Sequence, residues 1–145
     1  MPELTLHVDV EAPVEATWAA VVDWDRQGEW MLGTRVEAGE QGGRGVGGTL
    51  RAFTGVGRFG FWDSMVITGW EPPHRCEVRH TGRLVRGGGV FVVEPRGSGS
   101  RFVWSEQLDL PFGAIGRAGW PLIRPLFAAG VRLSLGRFAR FVVAS

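Results

Sequence analysis

The sequence contains no lysine, tyrosine or asparagine, and Cys76 is its only cysteine. The lack of lysine excludes a P-loop, and lysine and tyrosine are both excluded as catalytic groups. One cysteine can form neither an internal disulfide nor a cysteine-built metal site, so we expect a buried thiol in the reducing cytoplasm. The three histidines are scattered without metal-ligand spacing. We therefore expect neither a metal nor another cofactor.

Long apolar runs and concentrated positive charge are also missing. No segment approaches the roughly 18 uninterrupted apolar residues of a membrane span, and the first residues lack the order of a signal peptide. The 16 arginines are scattered along the chain, and the net charge is only +1. These absences predict no stable membrane insertion and no nucleic-acid partner.

Length and apolar content suffice for one folded core. The 145 residues, of which 44% are hydrophobic, predict one domain over residues 1–145 and leave no room for a second. Apolar and polar side chains alternate from Leu4 to Glu11, which predicts a half-buried strand. Helical spacing after Pro13 predicts a helix over 13–24, and Asp25 is placed to cap a short second helix.

The middle of the chain has the texture of a sheet. Short runs rich in valine, phenylalanine, tryptophan and threonine are separated by glycine clusters, which is typical of an antiparallel meander. We predict strands near residues 35–40, 48–54, 59–70, 74–81, 84–94 and 100–110. Helical spacing then returns. Because Pro121 and Pro125 would interrupt a helix interior, we predict that this last helix begins near one of them and ends near Val143.

Three segments resemble a known family: VDVEAPVEATWAAVVDWDRQGEWM at 8–31, WEPPHRCEVR at 70–79 and GSRFVWSEQLDLPFG at 99–113. Together with the order of predicted elements, they resemble the START-related SRPBCC superfamily, in its polyketide cyclase/dehydrase branch. The resemblance implies an α+β helix-grip fold, in which a curved seven-stranded antiparallel sheet wraps around the C-terminal helix and encloses a ligand cavity. It does not settle the function, because this fold serves lipid carriers, aromatase/cyclases and hormone receptors alike.

The C-terminal helix has two apolar stripes at 100° per residue. The first includes Phe127, Val131, Ser134 and Phe138. The small residues Gly130 and Ser134, between Phe127 and Phe138, would leave a recess, which is filled either by a ligand or by aromatic side chains of the sheet. The second stripe consists of Leu122, Leu126, Ala129 and Leu133. It predicts packing on the first helices or on a partner subunit, so we expect a monomer or a homodimer.

Two ionisable residues lie on apolar strand faces. Glu106 shares its face with Phe102 and Trp104, where desolvation would raise its pKa toward values useful in proton transfer, although pairing with an arginine is the alternative. His80 shares a face with Val78, where it would contact a ligand or shuttle a proton. The alternative for His80 is a bond to the backbone or exposure at the strand end.

Two tryptophans of the predicted strand 59–70 are further candidates for the cavity wall. Trp62 and Trp70 share a face unless a bulge intervenes, and parity does not decide whether Trp62 or Asp63 points inward. An aromatic-lined pocket and ordinary core packing both explain such large flat side chains.

These observations predict a protein that binds a hydrophobic small molecule, such as a lipid, isoprenoid or polyketide, between sheet and helix. The alternative is an aromatase/cyclase or dehydratase in which Glu106 and His80 exchange protons. A third hypothesis, an interaction module that uses the arginines of the last helix, is weaker because those arginines form no single charged face.

Overall fold

A computed structural model describes residues 3–82, 86–109 and 114–144. The seven strands are β1 (Glu3–Val10), β2 (Thr34–Ala38), β3 (Thr49–Val56), β4 (Phe59–Glu71), β5 (Arg75–His80), β6 (Arg86–Arg96) and β7 (Gly99–Asp109). The helices are α1 (Val14–Val21) and α2 (Ala114–Ala144), with 3-10 helices over Trp24–Glu29 and Glu40–Gly43. Each predicted strand is present, with bounds that differ by a few residues.

The strands form one antiparallel sheet in the order β1-β7-β6-β5-β4-β3-β2. After the excursion through α1, the chain enters at the far edge as β2 and returns by successive hairpins until β7 pairs with β1. The sheet curls into a half-barrel against the C-terminal helix α2. The predicted α+β helix-grip fold is confirmed.

The alternating apolar and polar side chains of β1 have the burial that the sequence predicts. Leu4 and Val10 are buried, whereas Thr5, His7 and Asp9 are exposed. Because side chains of a strand alternate between its two faces, the sequence pattern turns one face of β1 toward α2.

An aromatic cluster forms the centre of the core. Trp30, Phe102 and Phe138 come from the segment after the first 3-10 helix, from β7 and from α2, and each is fully buried. The Phe138 ring lies 4.8 Å from each of the other two ring centroids. Offset and edge-on aromatic contacts of this kind add to the stabilisation from burial alone. The cluster therefore fixes α2 against the sheet.

Helix α2 begins earlier than predicted. It contains 31 residues and includes both Pro121 and Pro125, so it is roughly 46 Å long at 1.5 Å per residue. A proline within a helix leaves one carbonyl of the preceding turn without its usual partner. Both prolines are exposed, so solvent can satisfy those carbonyls and the helix continues through both residues. The prediction that the helix begins near one of the prolines is therefore wrong.

The second stripe of α2 does not pack on the first helices. Leu122, Leu126 and Leu133 are 80%, 76% and 52% exposed. Among the described residues, no helix is both long and apolar enough to cross a membrane.

Replacing Phe138 with alanine is expected to lower the free energy of unfolding by about 3–5 kcal/mol, because it leaves a cavity among fully buried aromatic rings. Urea unfolding measures this loss. Phe59→Ala is the matched control, since Phe59 is 79% exposed and its loss is expected to change stability by about 0.5 kcal/mol or less. A loss below about 1 kcal/mol for Phe138→Ala would contradict the central position of this cluster.

Candidate ligand-binding site

A cavity of about 200 Å³ lies between the inner face of the sheet and α2. Its wall is formed by side chains of β2 to β7, of the first 3-10 helix and of α2. Most of these side chains are apolar. The lining residues are Trp24, Gln27, Met31, Thr34, Val36, Leu50, Ala52, Thr54, Phe61, Asp63, Met65, Val78, His80, Phe91, Trp104, Glu106 and Phe127.

The imidazole of His80 lies between two carboxylates on the cavity wall. Its Nδ1 atom is 2.9 Å from Asp63 Oδ2 and 3.1 Å from Asp63 Oδ1. Its Nε2 atom is 3.1 Å from Glu106 Oε2. The three side chains are 5%, 11% and 12% exposed for His80, Asp63 and Glu106. Both ring nitrogens are thus engaged by acidic groups within a nearly closed environment.

Glycines of β6 allow His80 and Glu106 to meet. His80 lies on β5 and Glu106 on β7, with β6 between them. Gly89 of β6 pairs in register with Val78 on one side and with Glu106 on the other. A Cβ atom added at Gly89 would lie 3.0 Å from Glu106 Oε1. Gly87, opposite His80, also presents no side chain. The side chains of His80 and Glu106 therefore reach each other across β6.

Trp104 completes the support of Glu106. Its indole Nε1 donates a hydrogen bond to Glu106 Oε1 at 3.0 Å. Glu106 therefore accepts one bond at each oxygen, and its carboxylate plane is fixed from two sides. The Trp104 ring also contacts Phe91 at a centroid distance of 5.7 Å, which joins this polar group to the apolar wall.

The surroundings of His80 determine its charge. Burial alone would lower its pKa, but hydrogen bonds to Asp63 and Glu106, together with their negative charges, outweigh burial and raise the pKa to about 10. At neutral pH the ring is therefore an imidazolium, a proton donor at both nitrogens and not a base. With two carboxylates, the cluster Asp63–His80–Glu106 carries one net negative charge.

This cluster is not arranged as a metal site. The two nitrogens of His80 lie on opposite sides of the ring, and each faces a different carboxylate, so the three groups do not converge on one point. Within residues 3–82, 86–109 and 114–144, no group of three acidic, histidine or cysteine side chains could hold a metal ion.

Cys76 is a free, buried thiol. Burial, and secondarily the charge of Glu77, raises its pKa to about 12. A thiol in this state is a poor nucleophile, because the thiolate is the reactive form.

Gln27 presents an unpaired polar atom on the same cavity wall. The residue is 3% exposed, and its Nε2 makes only a weak contact with Met31 Sδ at 3.6 Å. Its Oε1 atom has no hydrogen-bond partner among the described residues. Leaving a buried carbonyl unpaired costs about 1–3 kcal/mol. A ligand donor that reached this oxygen would remove that cost.

The sequence as a whole matches one family. The family model for polyketide cyclase/dehydrase and lipid transport covers residues 1–142. The chain belongs to this family. The resemblance noted in the sequence is thereby confirmed. No curated protein matches the sequence.

Several solved structures share the fold of this family member. TTHA0849 from Thermus thermophilus aligns with a TM-score of 0.82 and 18% identity over 99% of this chain and 98% of that one. The Zhui aromatase/cyclase from Streptomyces sp. R1128 aligns with a TM-score of 0.79 and 13% identity over 97% and 93%. The di-domain ARO/CYC StfQ of the steffimycin biosynthetic pathway aligns with a TM-score of 0.75 and 12% identity over 98% of this chain and 50% of that one.

Five side chains selected from the sequence line the cavity of this family member. They are Val78, His80, Trp104, Glu106 and Phe127. Within the described part of the chain the His80 ring makes no bond to the backbone, and its side chain is only 5% exposed. Glu106 pairs with His80 in place of an arginine. The two candidate acid-base residues are thus in direct contact.

The two tryptophans of β4 are not part of the cavity wall. Trp62 lies on the outer face, 40% exposed, where it packs on Phe53 and beneath Arg51. Trp70 packs against Trp18 of α1 at a centroid distance of 5.3 Å. A register shift between Ile67 and Gly69 separates the faces of the two tryptophans. Asp63 points into the cavity, so its neighbour Trp62 points outward, and the prediction that Trp62 lines the cavity is wrong.

The remaining candidates lie in the packed core. These residues are Phe102, Val131, Ser134 and Phe138. The Ser134 hydroxyl accepts a hydrogen bond from the Leu32 backbone amide at 2.9 Å, so the recess predicted there is closed by protein. In this part of α2, Phe138 packs on the aromatic rings of Trp30 and Phe102. The cavity lies closer to the N-terminus of the helix, beside Phe127.

Asp63 and Gln27, with the hydroxyl residues Thr34 and Thr54, are polar wall residues that sequence reasoning did not select. Strand parity left Asp63 undecided between two faces. Nothing in the local pattern distinguished Gln27 from other polar residues of a short helix. The glycine run 87–89 is a signal that could have indicated open space on β6, although the strands on either side of β6 are known only from the sheet order.

The high pKa of His80 predicts a stability that falls with rising pH. In the unfolded chain a histidine loses its proton near pH 6.5, whereas His80 keeps its proton in the folded protein up to about pH 10. The stabilisation is therefore complete below about pH 6.5 and is lost toward pH 10, by at most about 1.4 kcal/mol per pH unit. The difference in unfolding free energy between the wild type and His80→Gln should accordingly shrink between about pH 6 and pH 9.

The matched control is His7→Gln, the same change at an exposed histidine of β1, expected to alter stability by about 0.5 kcal/mol or less. A difference for His80→Gln that stays constant over this pH range would contradict the bridged imidazolium.

Proposed function

We propose that the protein binds a compact hydrophobic small molecule, such as a lipid, isoprenoid or polyketide, in the cavity between sheet and α2. The observation that carries this proposal is the predominantly apolar wall, to which Met31, Met65, Phe91 and Phe127 contribute. Burial of apolar surface against such a wall is favourable by about 25 cal/mol per Å².

The volume limits the size of the ligand. A cavity of about 200 Å³ is smaller than the roughly 300–1,000 Å³ typical of small-molecule sites. It accommodates a molecule of one or two rings, or a short chain. Aromatic side chains such as Phe91 and Trp104 favour a flat ligand, because offset and edge-on ring contacts are available.

Filling the cavity tests the proposal. Ala52 is buried on the wall, and Ala52→Phe places a ring where the ligand would lie. We expect the Kd for a compact apolar probe, 2-methylnaphthalene, to rise at least about tenfold, which is a loss of about 1.4 kcal/mol of binding free energy. Isothermal titration calorimetry measures both affinities.

The control is Ala19→Phe, the same change at an exposed position of α1, which should leave the affinity unchanged. Thermal unfolding of both variants establishes that they are folded. Equal affinities of the wild type and the folded Ala52→Phe variant would argue against binding in this cavity.

A second candidate function, an aromatase/cyclase or dehydratase, is favoured by the cluster Asp63–His80–Glu106 on the wall. Solved aromatase/cyclases share this fold. The Glu106 carboxylate would take a proton from carbon next to a ligand carbonyl, and the His80 imidazolium would give its proton to a departing hydroxyl, which leaves as water. The direct bond between Nε2 and Oε2 then returns the proton from Glu106 to His80.

Turnover of a reactive poly-β-ketone tests this second function. Glu106→Gln is expected to lower kcat at least about 100-fold, the usual contribution of a general acid or base. Glu94→Gln, the same change at an exposed residue of β6, should leave kcat unchanged. Equal turnover by the Glu106→Gln and Glu94→Gln variants would exclude this mechanism, while ligand binding could persist.

A further inference from the structure

The polar groups of the cavity wall differ in what they can still offer a ligand. The indole N–H donors are already used: Trp24 Nε1 donates to Gly43 O at 2.8 Å, and Trp104 Nε1 donates to Glu106. The Gln27 amide nitrogen makes one weak contact, with Met31 Sδ at 3.6 Å. Both nitrogens of His80 face carboxylates. The hydroxyls of Thr34 and Thr54 lie 3.2 Å apart and bond to each other.

Acceptor capacity remains on the same wall. Gln27 Oε1 has no partner in the described part of the chain, and Gln27 is more than nine-tenths buried. A carboxylate has about four lone-pair positions. Glu106 uses two of them, for Trp104 and His80, and Asp63 bonds only the Nδ1 atom of His80. The unused capacity of the described wall is therefore mainly that of acceptors.

The net charge of the cluster Asp63–His80–Glu106 also favours a ligand that donates a hydrogen bond over an anionic one. Two carboxylates and one imidazolium leave one net negative charge beside the cavity. A ligand carboxylate placed beside this cluster would be repelled, and among the described lining residues the indole and imidazole N–H donors that could pair with it are already engaged. Desolvation strengthens this repulsion, because charges interact more strongly in apolar surroundings than in water.

We infer that the cavity selects apolar molecules that carry a hydrogen-bond donor, such as a phenol or an alcohol. This inference rests on the proposed function. The donor would bond to Gln27 Oε1 or to an unused lone pair of Asp63 or Glu106. A molecule of the same shape without the donor would leave these acceptors unpaired. An acid of the same shape would be rejected. The unused acceptor positions of Gln27, Asp63 and Glu106, together with the net negative charge of the cluster, carry this inference.

Three probes of similar shape test the selection: 2-naphthol, 2-methoxynaphthalene and 2-naphthoate. The first has a donor, the second retains the oxygen without the donor, and the third is an anion. Titration calorimetry at neutral pH is expected to give 2-naphthol a Kd at least about tenfold lower than either of the others, since one buried hydrogen bond changes affinity by about that factor.

Two variants identify the acceptors. Gln27→Met keeps the length of the side chain without the carbonyl, and Glu106→Gln replaces the charge with a neutral amide. We expect the preference for 2-naphthol over 2-methoxynaphthalene to fall at least about threefold in one or both variants. In Glu106→Gln, 2-naphthoate should bind more tightly than to the wild type. Glu94→Gln, at an exposed residue, should retain the wild-type preferences.

The outcomes separate the inference from the proposed function. If 2-methylnaphthalene and the three probes bind with equal affinity, or if 2-naphthoate binds best, the selection is overturned while the proposed function stands. If none of the four molecules binds, both are overturned. A preference for 2-naphthol that survives in both Gln27→Met and Glu106→Gln would also overturn the assignment of the acceptors.

Discussion

The polar side of the cavity depends on the positive charge of His80. Asp63 and Glu106 come from strands on either side of β5, and in apolar surroundings their negative charges would repel each other. A buried charge is tolerated when it is paired and hydrogen-bonded, and removal of one partner from such a group is costly. The ring of His80 satisfies both carboxylates at once, from one nitrogen each. These three residues are therefore one unit, and the loss of any one of them leaves another without its partner.

Helix α2 divides the interior into two parts with different packing. Near its C-terminal end Phe138 joins Trp30 and Phe102 in a fully buried aromatic cluster. Earlier in the helix, Phe127 faces the cavity. The same rigid element thus anchors the fold and forms part of the site wall. Because the wall is supported by packed side chains, a ligand of the proposed kind would lose less entropy than in a site that had to be ordered on binding.

Much of the fold could be predicted from the sequence, because alternation, helical spacing and glycine clusters act locally. The site was harder. Residue parity placed Trp104 and Glu106 on one face of β7 without deciding whether that face is the inward one. In β4 a bulge changed the parity between Trp62 and Trp70. The contact between His80 and Glu106 spans a strand and depends on sheet order, which no local pattern encodes. The core position of Phe102 and Phe138 depended on how closely α2 approaches the sheet, a property of packing and not of periodicity.

The glycines at positions 87–89 show how the site limits the evolution of the strand that it crosses. Glycine in a strand interior is less stable than alanine by roughly 0.5–1 kcal/mol, since the unfolded chain has more freedom to lose. Larger, strand-favouring residues would strengthen a strand of ordinary backbone, but the φ of 106° at Gly87 itself favours glycine. At Gly89, however, the first added carbon would crowd the carboxylate of Glu106. At Gly89, a side chain that stabilised β6 would thus disturb the contact between Glu106 and His80. A gain in stability often opposes the geometry of a site in this way.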